Sequence, residues 1–262
     1  ATTWTTTSKT GFEKRMNYMG KRSTEICSIW KSVFGSQNSR VQCVLSAFTA
    51  IPEYTREALD CPLYAAGNNN VPCSRNMDAL SIAPYIGVYV GSEIHSNKTS
   101  CWTSQLDGGL NTLFRELFTG GPLYVDKSDE APESGALQEA FDLMDSNFVL
   151  AEEYGLDLVA YEGGQHLAGD VSSDILPVND SVSTLFSNAN GDPRMYDLYT
   201  QYLEGWRDRG GKLMNHFMSV QAHNDYGYFG TLEYPDQEPT PKLSAIADFI
   251  SNNPCWWSDC SN

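Results

Sequence analysis

From Gly11 onward, Met16, Met19, Ser23, Ile26, Trp30 and Val33 recur at three- and four-residue spacing, which predicts a helix with that stripe in the core until "FGSQNS" stops it. The run "RVQCVLSAFTA", 40–50, then has the β-branched and aromatic make-up of a buried strand. A short helix and an Asn/Gly-rich turn precede a second strand in "MDALSIAPYIG", 77–87. Residues 88–135 read as an irregular excursion holding one amphipathic run, "LNTLFRELF". A strong helix follows, with Leu137, Phe141, Met144, Phe148 and Leu150 along one face and Gly155 where a C-terminal cap belongs. It delivers the chain into "LDLVAYEGG". A further helix carries Met195, Leu198, Tyr199, Tyr202, Leu203 and Trp206, then comes the strand "KLMNHFMSV", and "KLSAIADFISNN" closes the chain as a helix. Strands expected near 41–48, 79–85, 157–162 and 212–219, alternating with helices, predict a parallel α/β architecture in one domain over 1–262.

Composition narrows the possible partners. Thirty-three acidic against 17 basic residues give a formal charge of -16, which repels phosphate backbones and anionic lipid, so neither nucleic acid nor membrane is expected as a partner. No apolar run approaches a spanning helix. The chain begins at Ala1 rather than Met, which reads as a processed or partial product. Seven cysteines are too many for an ordinary cytosolic domain and too irregular for a zinc ribbon, so they read as mostly disulfides with one thiol left over. Cys61 with Cys73, and Cys255 with Cys260 in the tail 253–262, are the first pairings expected. The sequons at Asn97 and Asn179 add to a secreted reading, as does the Thr-rich arm over 1–10.

In a parallel α/β barrel, functional side chains sit at the carboxyl ends of strands. Those ends here hold Tyr85, the run Glu162, Gly163, Gly164, Gln165 and His166, and the pair Asn215 and His216. Glu162 is the natural carboxylate of a shared cleft, with Gln165, His166, Asn215 and His216 as substrate-binding candidates. Plainer readings stand beside these: Glu162 as a salt-bridged or solvated loop residue, Tyr85 as a packed core residue, and Trp256 and Trp257 as a hydrophobic plug rather than a sugar platform. His166, His216 and His223 show no HxH or HExxH spacing, so no metal and no cofactor is expected. Phosphate-loop and Gly-x-Ser-x-Gly motifs are absent from the sequence.

Four stretches carry a family resemblance: "ALSIAPYIG", "LDLVAYEGGQHLAG", "DPRMYDLYTQYLEGWRDRGGKLMNHF" and "YGYFGTLEYPDQEPTPKLSAIADFI". With "KRSTEICSIWKSVFGSQNSRVQCVLSAFTA" they cover most of the chain. Together they resemble the carboxyl-terminal half of secreted TIM-barrel proteins of a cellulose-binding or glycoside-hydrolase-like group, similar to clan A glycoside hydrolases. The resemblance implies strands five to eight of a (β/α) TIM barrel with long loop insertions. It matches Glu162 to the nucleophile at the end of strand seven and Tyr85 to the tyrosine of strand six. The acid/base Glu of such proteins lies in an Asn-Glu-Val-Trp-like motif that this chain lacks, leaving Glu233 as the internal carboxylate most plausibly near the mouth. Two functions are therefore expected: a retaining glycoside hydrolase acting on polysaccharide, or a non-catalytic glycan-binding or fibre subunit. Either needs another chain, an amino-terminal half or a second copy, because half a barrel exposes the edges of its outer strands.

Overall fold

Capping residues set where the helices begin and end. In the computed structural model, which describes residues 4, 5, 7–124, 131–169, 180–224, 227–258 and 260, helix α1 spans Gly11–Phe34. The Thr10 hydroxyl accepts from the Glu13 N–H at 3.2 Å and the Glu13 carboxylate accepts from the Thr10 N–H at 2.7 Å, a reciprocal cap. Gly35, at φ +53°, ends the helix by returning its N–H to the carbonyls of Lys31 and Ser32. There follow strand β1 (Val44–Ser46), helices α2 (Pro52–Asp60) and α3 (Pro62–Ala65), strand β2 (Ala79–Ile82), and helices α4 (Glu93–Trp102), α5 (Leu110–Thr119) and α6 (Ala136–Tyr154). Strand β3 (Asp157–Ala160) and helices α7 (Asp180–Gly191), α8 (Arg194–Asp208) and α9 (Pro241–Asn252) complete the order. The arm residues 1–3 and 6, and the sequon residue Asn179, lie outside the described residues.

The chain divides into two compact units, the first made of Ala1–Ala83, Asp145–Tyr161 and Gly210–Leu213. Its centre is a parallel sheet of order β1-β2-β3. The register aligns Leu45 with Leu80 and Leu80 with Leu158, and all three are buried, each contributing about 2 kcal/mol of apolar burial. The buried face of helix α1 is small and polar: Asn17 and Gly20 meet α2, while Thr24 donates to the Cys73 carbonyl and Cys27 pairs with Cys43. Gly20 is obligatory there, since a Cβ would meet the Ala58 carbonyl oxygen at 2.1 Å. The large apolar stripe expected in the core instead faces outward: Ile26, Trp30 and Val33 are exposed. Two disulfides, Cys27–Cys43 and Cys61–Cys73, tie this unit.

Three short parallel strands correct the TIM-barrel expectation. Strands five to eight of a barrel are not what the chain forms; helix dominates, and the described strands are the three of one open sheet. The expected fourth strand over 212–219 reduces to two hydrogen bonds beside β3, from the Lys212 N–H to the Leu158 carbonyl at 2.8 Å and from the Ala160 N–H to the Leu213 carbonyl at 2.9 Å. Beyond Leu213 the Phe217 N–H bonds the Gly163 carbonyl and Val220 forms an isolated bridge with Leu232.

The second unit comprises Pro84–Met144, Glu162–Arg209 and Met214–Asn262. Its core is helical. Met195, Leu198, Tyr199, Tyr202 and Trp206 of α8 are buried as their spacing predicts, and α8 packs against α9. Val182, Phe186 and Ala189 of α7 and Leu113, Phe114 and Leu117 of α5 complete that core. The stretch from Val88 to Gly135, expected as irregular, holds α4 and α5. The tail disulfide Cys255–Cys260 holds Trp256 edge-on to Phe249 of α9 at 5.7 Å.

Candidate functional site

Every residue singled out for chemistry belongs to the second unit. The segment that follows β3 is pinned on two sides: the Ile86 N–H donates to the Gly164 carbonyl at 2.9 Å and the His166 N–H to the Ile86 carbonyl at 2.8 Å, while the Phe217 N–H donates to the Gly163 carbonyl at 2.9 Å. Its two glycines are needed by the protein's own packing. A Cβ on Gly163 would lie 2.5 Å from the Tyr202 hydroxyl. Gly164, at φ +128°, has the Tyr199 hydroxyl at 2.9 Å and His216 Nε2 at 3.0 Å from the same point. Tyrosines of α8 thus press directly on the backbone behind Glu162, and Tyr202 donates to the Pro84 carbonyl at 2.9 Å.

Glu162 itself is half-buried and has no hydrogen-bond or ion-pair partner among the described residues. Around the neighbouring segments lies an aromatic cluster. Tyr85 meets His166 at 5.1 Å, Phe217 at 6.4 Å and Phe229 at 6.3 Å, and His166 meets Phe229 at 5.1 Å. Tyr85, His166 and Phe217 are each partly exposed, so the cluster offers aromatic edges to solvent rather than closing into a core. Burial lowers the His166 pKa, which keeps this ring neutral.

Gln165 and His216 take structural places. Gln165 is fully buried: its amide nitrogen donates to Asn190 Oδ1 at 3.2 Å and the Tyr228 carbonyl at 2.7 Å, and its oxygen accepts from the Leu167 N–H at 2.6 Å. Full burial keeps these groups out of a substrate's reach. His216 Nε2 lies 3.0 Å from the Tyr199 hydroxyl, which itself accepts from the Gln165 N–H at 3.1 Å. Burial, reinforced by the Lys242 charge, drives the His216 pKa down to about 4, so the ring beside Tyr199 is neutral. Asn215, next to it, is exposed.

Glu233 belongs to a different network. Its carboxylate lies 3.7 Å from His223 Nδ1, which is also 2.9 Å from the Ser187 hydroxyl. Glu233 and His223, together with Lys242, Asn190 and Thr231, line a cavity of about 30 Å³, room for a water. Lys242, in the first turn of α9, is the residue sequence reasoning missed. It is 1% exposed and donates to Asn190 Oδ1 at 2.6 Å and to the Tyr228 and Phe229 carbonyls at 3.0 and 3.4 Å. Burial lowers its pKa to about 7, against the raising effect of Glu233. A lysine after a proline at a helix start gives no hint of this; its place shows only through Gln165, which donates to two of the same acceptors, Asn190 Oδ1 and the Tyr228 carbonyl.

The remaining expectations fall as follows. Cys61 pairs with Cys73, Cys255 with Cys260, and Cys27 with Cys43, leaving Cys101 as the free thiol. Asn97 is exposed on α4, while Thr99 of its sequon is buried and donates to the Val90 carbonyl at 2.9 Å. Among the described residues no group of three or more His, Cys, Asp or Glu is placed to hold a metal ion, and no helix is long and apolar enough to cross a membrane. The three disulfides fit an extracellular setting. No protein-family model, no curated protein and no solved structure matches the chain.

Proposed function

We propose that the protein is secreted and binds polysaccharide at the surface formed by Glu162, Tyr85, His166 and Phe217. The observation that carries this reading is the state of Glu162: a half-buried carboxylate with no partner among the described residues, on a backbone segment that Phe217 and Ile86 clamp. A carboxylate with no partner among the described residues accepts readily from sugar hydroxyls, and the partly exposed aromatic rings on the backbone segments bonded to its own offer apolar edges to the sugar's C–H face. The strongly acidic composition, with a formal charge of -16, favours a neutral glycan over an anionic one. Retention on insoluble cellulose and other β-glucans tests it. Wild-type protein should be retained, and Tyr85→Ala should lose most of that retention. Equal recovery of both proteins in the unbound fraction, across a broad glycan panel, overturns the reading.

Hydrolysis is the second reading, favoured by the same free carboxylate, which is what a retaining nucleophile requires. A second carboxylate about 5 to 5.5 Å away has to serve as acid and then base. Glu233 lies instead in the small cavity with His223, and no carboxylate is shown beside Glu162 among the described residues, which weighs toward binding over turnover. Release of reducing ends by wild-type protein, abolished in Glu162→Gln, would establish the hydrolase. Absence of turnover in wild-type protein that is retained on glycan would leave the binding function alone.

A further inference from the structure

The first unit carries a surface that the polysaccharide reading does not use. Among the described residues strand β1 has a strand neighbour on one side only, since the sheet order is β1-β2-β3. In the parallel register the Ala79 N–H donates to the Cys43 carbonyl and the Ala47 N–H to the Ser81 carbonyl, so the odd-numbered positions of this strand face β2. The N–H and C=O groups of Val44 and Ser46 therefore point away from the sheet, along an open edge. Beside that edge, Ile26, Trp30, Val41, Val44 and Met77 line a groove of about 250 Å³. The exposed stripe of α1 continues from it: Ile26 is 47% exposed, Trp30 55%, Ile29 61% and Val33 72%. A helix face of this kind left in water is a standing cost and marks an interaction site.

We infer that a second copy of this chain occupies this surface, with the two β1 edges pairing antiparallel about a two-fold axis at Leu45. Three features select a second copy. The edge is self-complementary: the two outward-facing residues flank Leu45 symmetrically, so Val44 meets the partner's Ser46 and Ser46 meets the partner's Val44, forming about four backbone hydrogen bonds. The same axis, perpendicular to the sheet, sets the two α1 helices on one face of the joined sheet, where Ile26, Ile29, Trp30 and Val33 cover their counterparts. The area also suits: the exposed apolar side chains offer about 500 Å² per copy, near the roughly 1,000 Å² total at which specific interfaces begin. Beside the stripe, Lys31 is paired with Asp78 at 2.9 Å and Arg22 with Glu25, so the basic residues flanking it arrive neutralised.

Sedimentation equilibrium from about 1 to 100 μM tests the inference on the intact chain, a range that brackets the micromolar affinity such an area supports. A reversible monomer–dimer equilibrium is expected for wild-type protein. Trp30→Glu and Val33→Lys, both on the exposed stripe, should each weaken association at least tenfold while leaving the far-ultraviolet circular dichroism and thermal midpoint unchanged. Val44→Lys should do the same by crowding the edge. A wild-type chain that stays monomeric throughout, an open-ended series of larger assemblies, or a dimer indifferent to all three substitutions overturns the proposal. Glycan retention is scored on the second unit and does not depend on the outcome.

Discussion

Burial fixes the protonation of three side chains in the second unit, and each ties stability to pH with its own sign. His216 binds its proton more weakly folded, with a pKa near 4, than unfolded, near 6.5. The unfolded chain therefore takes up more protons between those values, and stability rises from pH 4 to 6.5 by up to about 3 kcal/mol. Glu139 runs the other way. Burial, with the charges of Asp142 and Glu116 behind it, raises its pKa to about 7, so the folded state holds the proton longer and stability falls as pH climbs from 4.5 to 7. Lys242, lowered to about 7, disfavours folding at and below neutrality and releases that penalty as pH rises from 7 toward 10.5. Glu139→Gln should remove the fall alone. Urea unfolding at pH 7.5 should show the variant more stable than wild type by about 1–3 kcal/mol, with little difference at pH 4.5. A constant offset at both pH values would show that Glu139 acts through packing and not through its charge.

At the scale of elements, close approach between backbones decides more than large apolar side chains do. Helix α1 meets α2 where Gly20 lies against the Ala58 carbonyl. Gly20→Ala should force the helices apart and cost about 2 kcal/mol or more despite the better helix propensity of alanine, read as a lowered thermal midpoint. This contact explains why the first helix was only half legible in the sequence. Its start at Thr10 and stop at Gly35 follow from capping chemistry, yet its core face was read from Ile26, Trp30 and Val33. The buried face is Asn17, Gly20, Thr24 and Cys27, with Asn17 held because its side-chain oxygen accepts the Leu63 N–H at 2.8 Å. Periodicity weighs size and apolarity, and cannot see a polar or small side chain that pairs across a contact. Helix α8 was legible for the converse reason, since its contact face is made of the large residues that periodicity counts. The three strands fell where β-branched and leucine-rich runs placed them, whereas the fourth run, 212–219, has the composition of a strand but keeps only two ladder hydrogen bonds.

For the molecule as a whole, a sheet of three short strands inside a largely helical chain replaces the barrel that strand-helix alternation and family resemblance had suggested. Alternation specifies parallel pairing and order, which the sheet has, but closure depends on strand number and shear that no local pattern encodes. The candidate site was legible in part for a similar reason. Glu162 just past the end of β3, and the meeting of Tyr85 with His166, follow from the order of the strands. The buried group beneath it, Gln165, Asn190, Tyr199, His216 and Lys242, depends on which helix packs where. That buried group rigidifies the backbone and leaves Glu162 as the unpaired acceptor at its surface. The most direct test of this account is calorimetric titration of soluble β-glucan oligosaccharides into wild-type protein, Glu162→Gln and Tyr85→Ala. Wild-type protein should bind, with affinity falling at least tenfold in each variant, about 1.4 kcal/mol or more. Binding of equal strength in all three proteins would contradict a glycan site at Glu162.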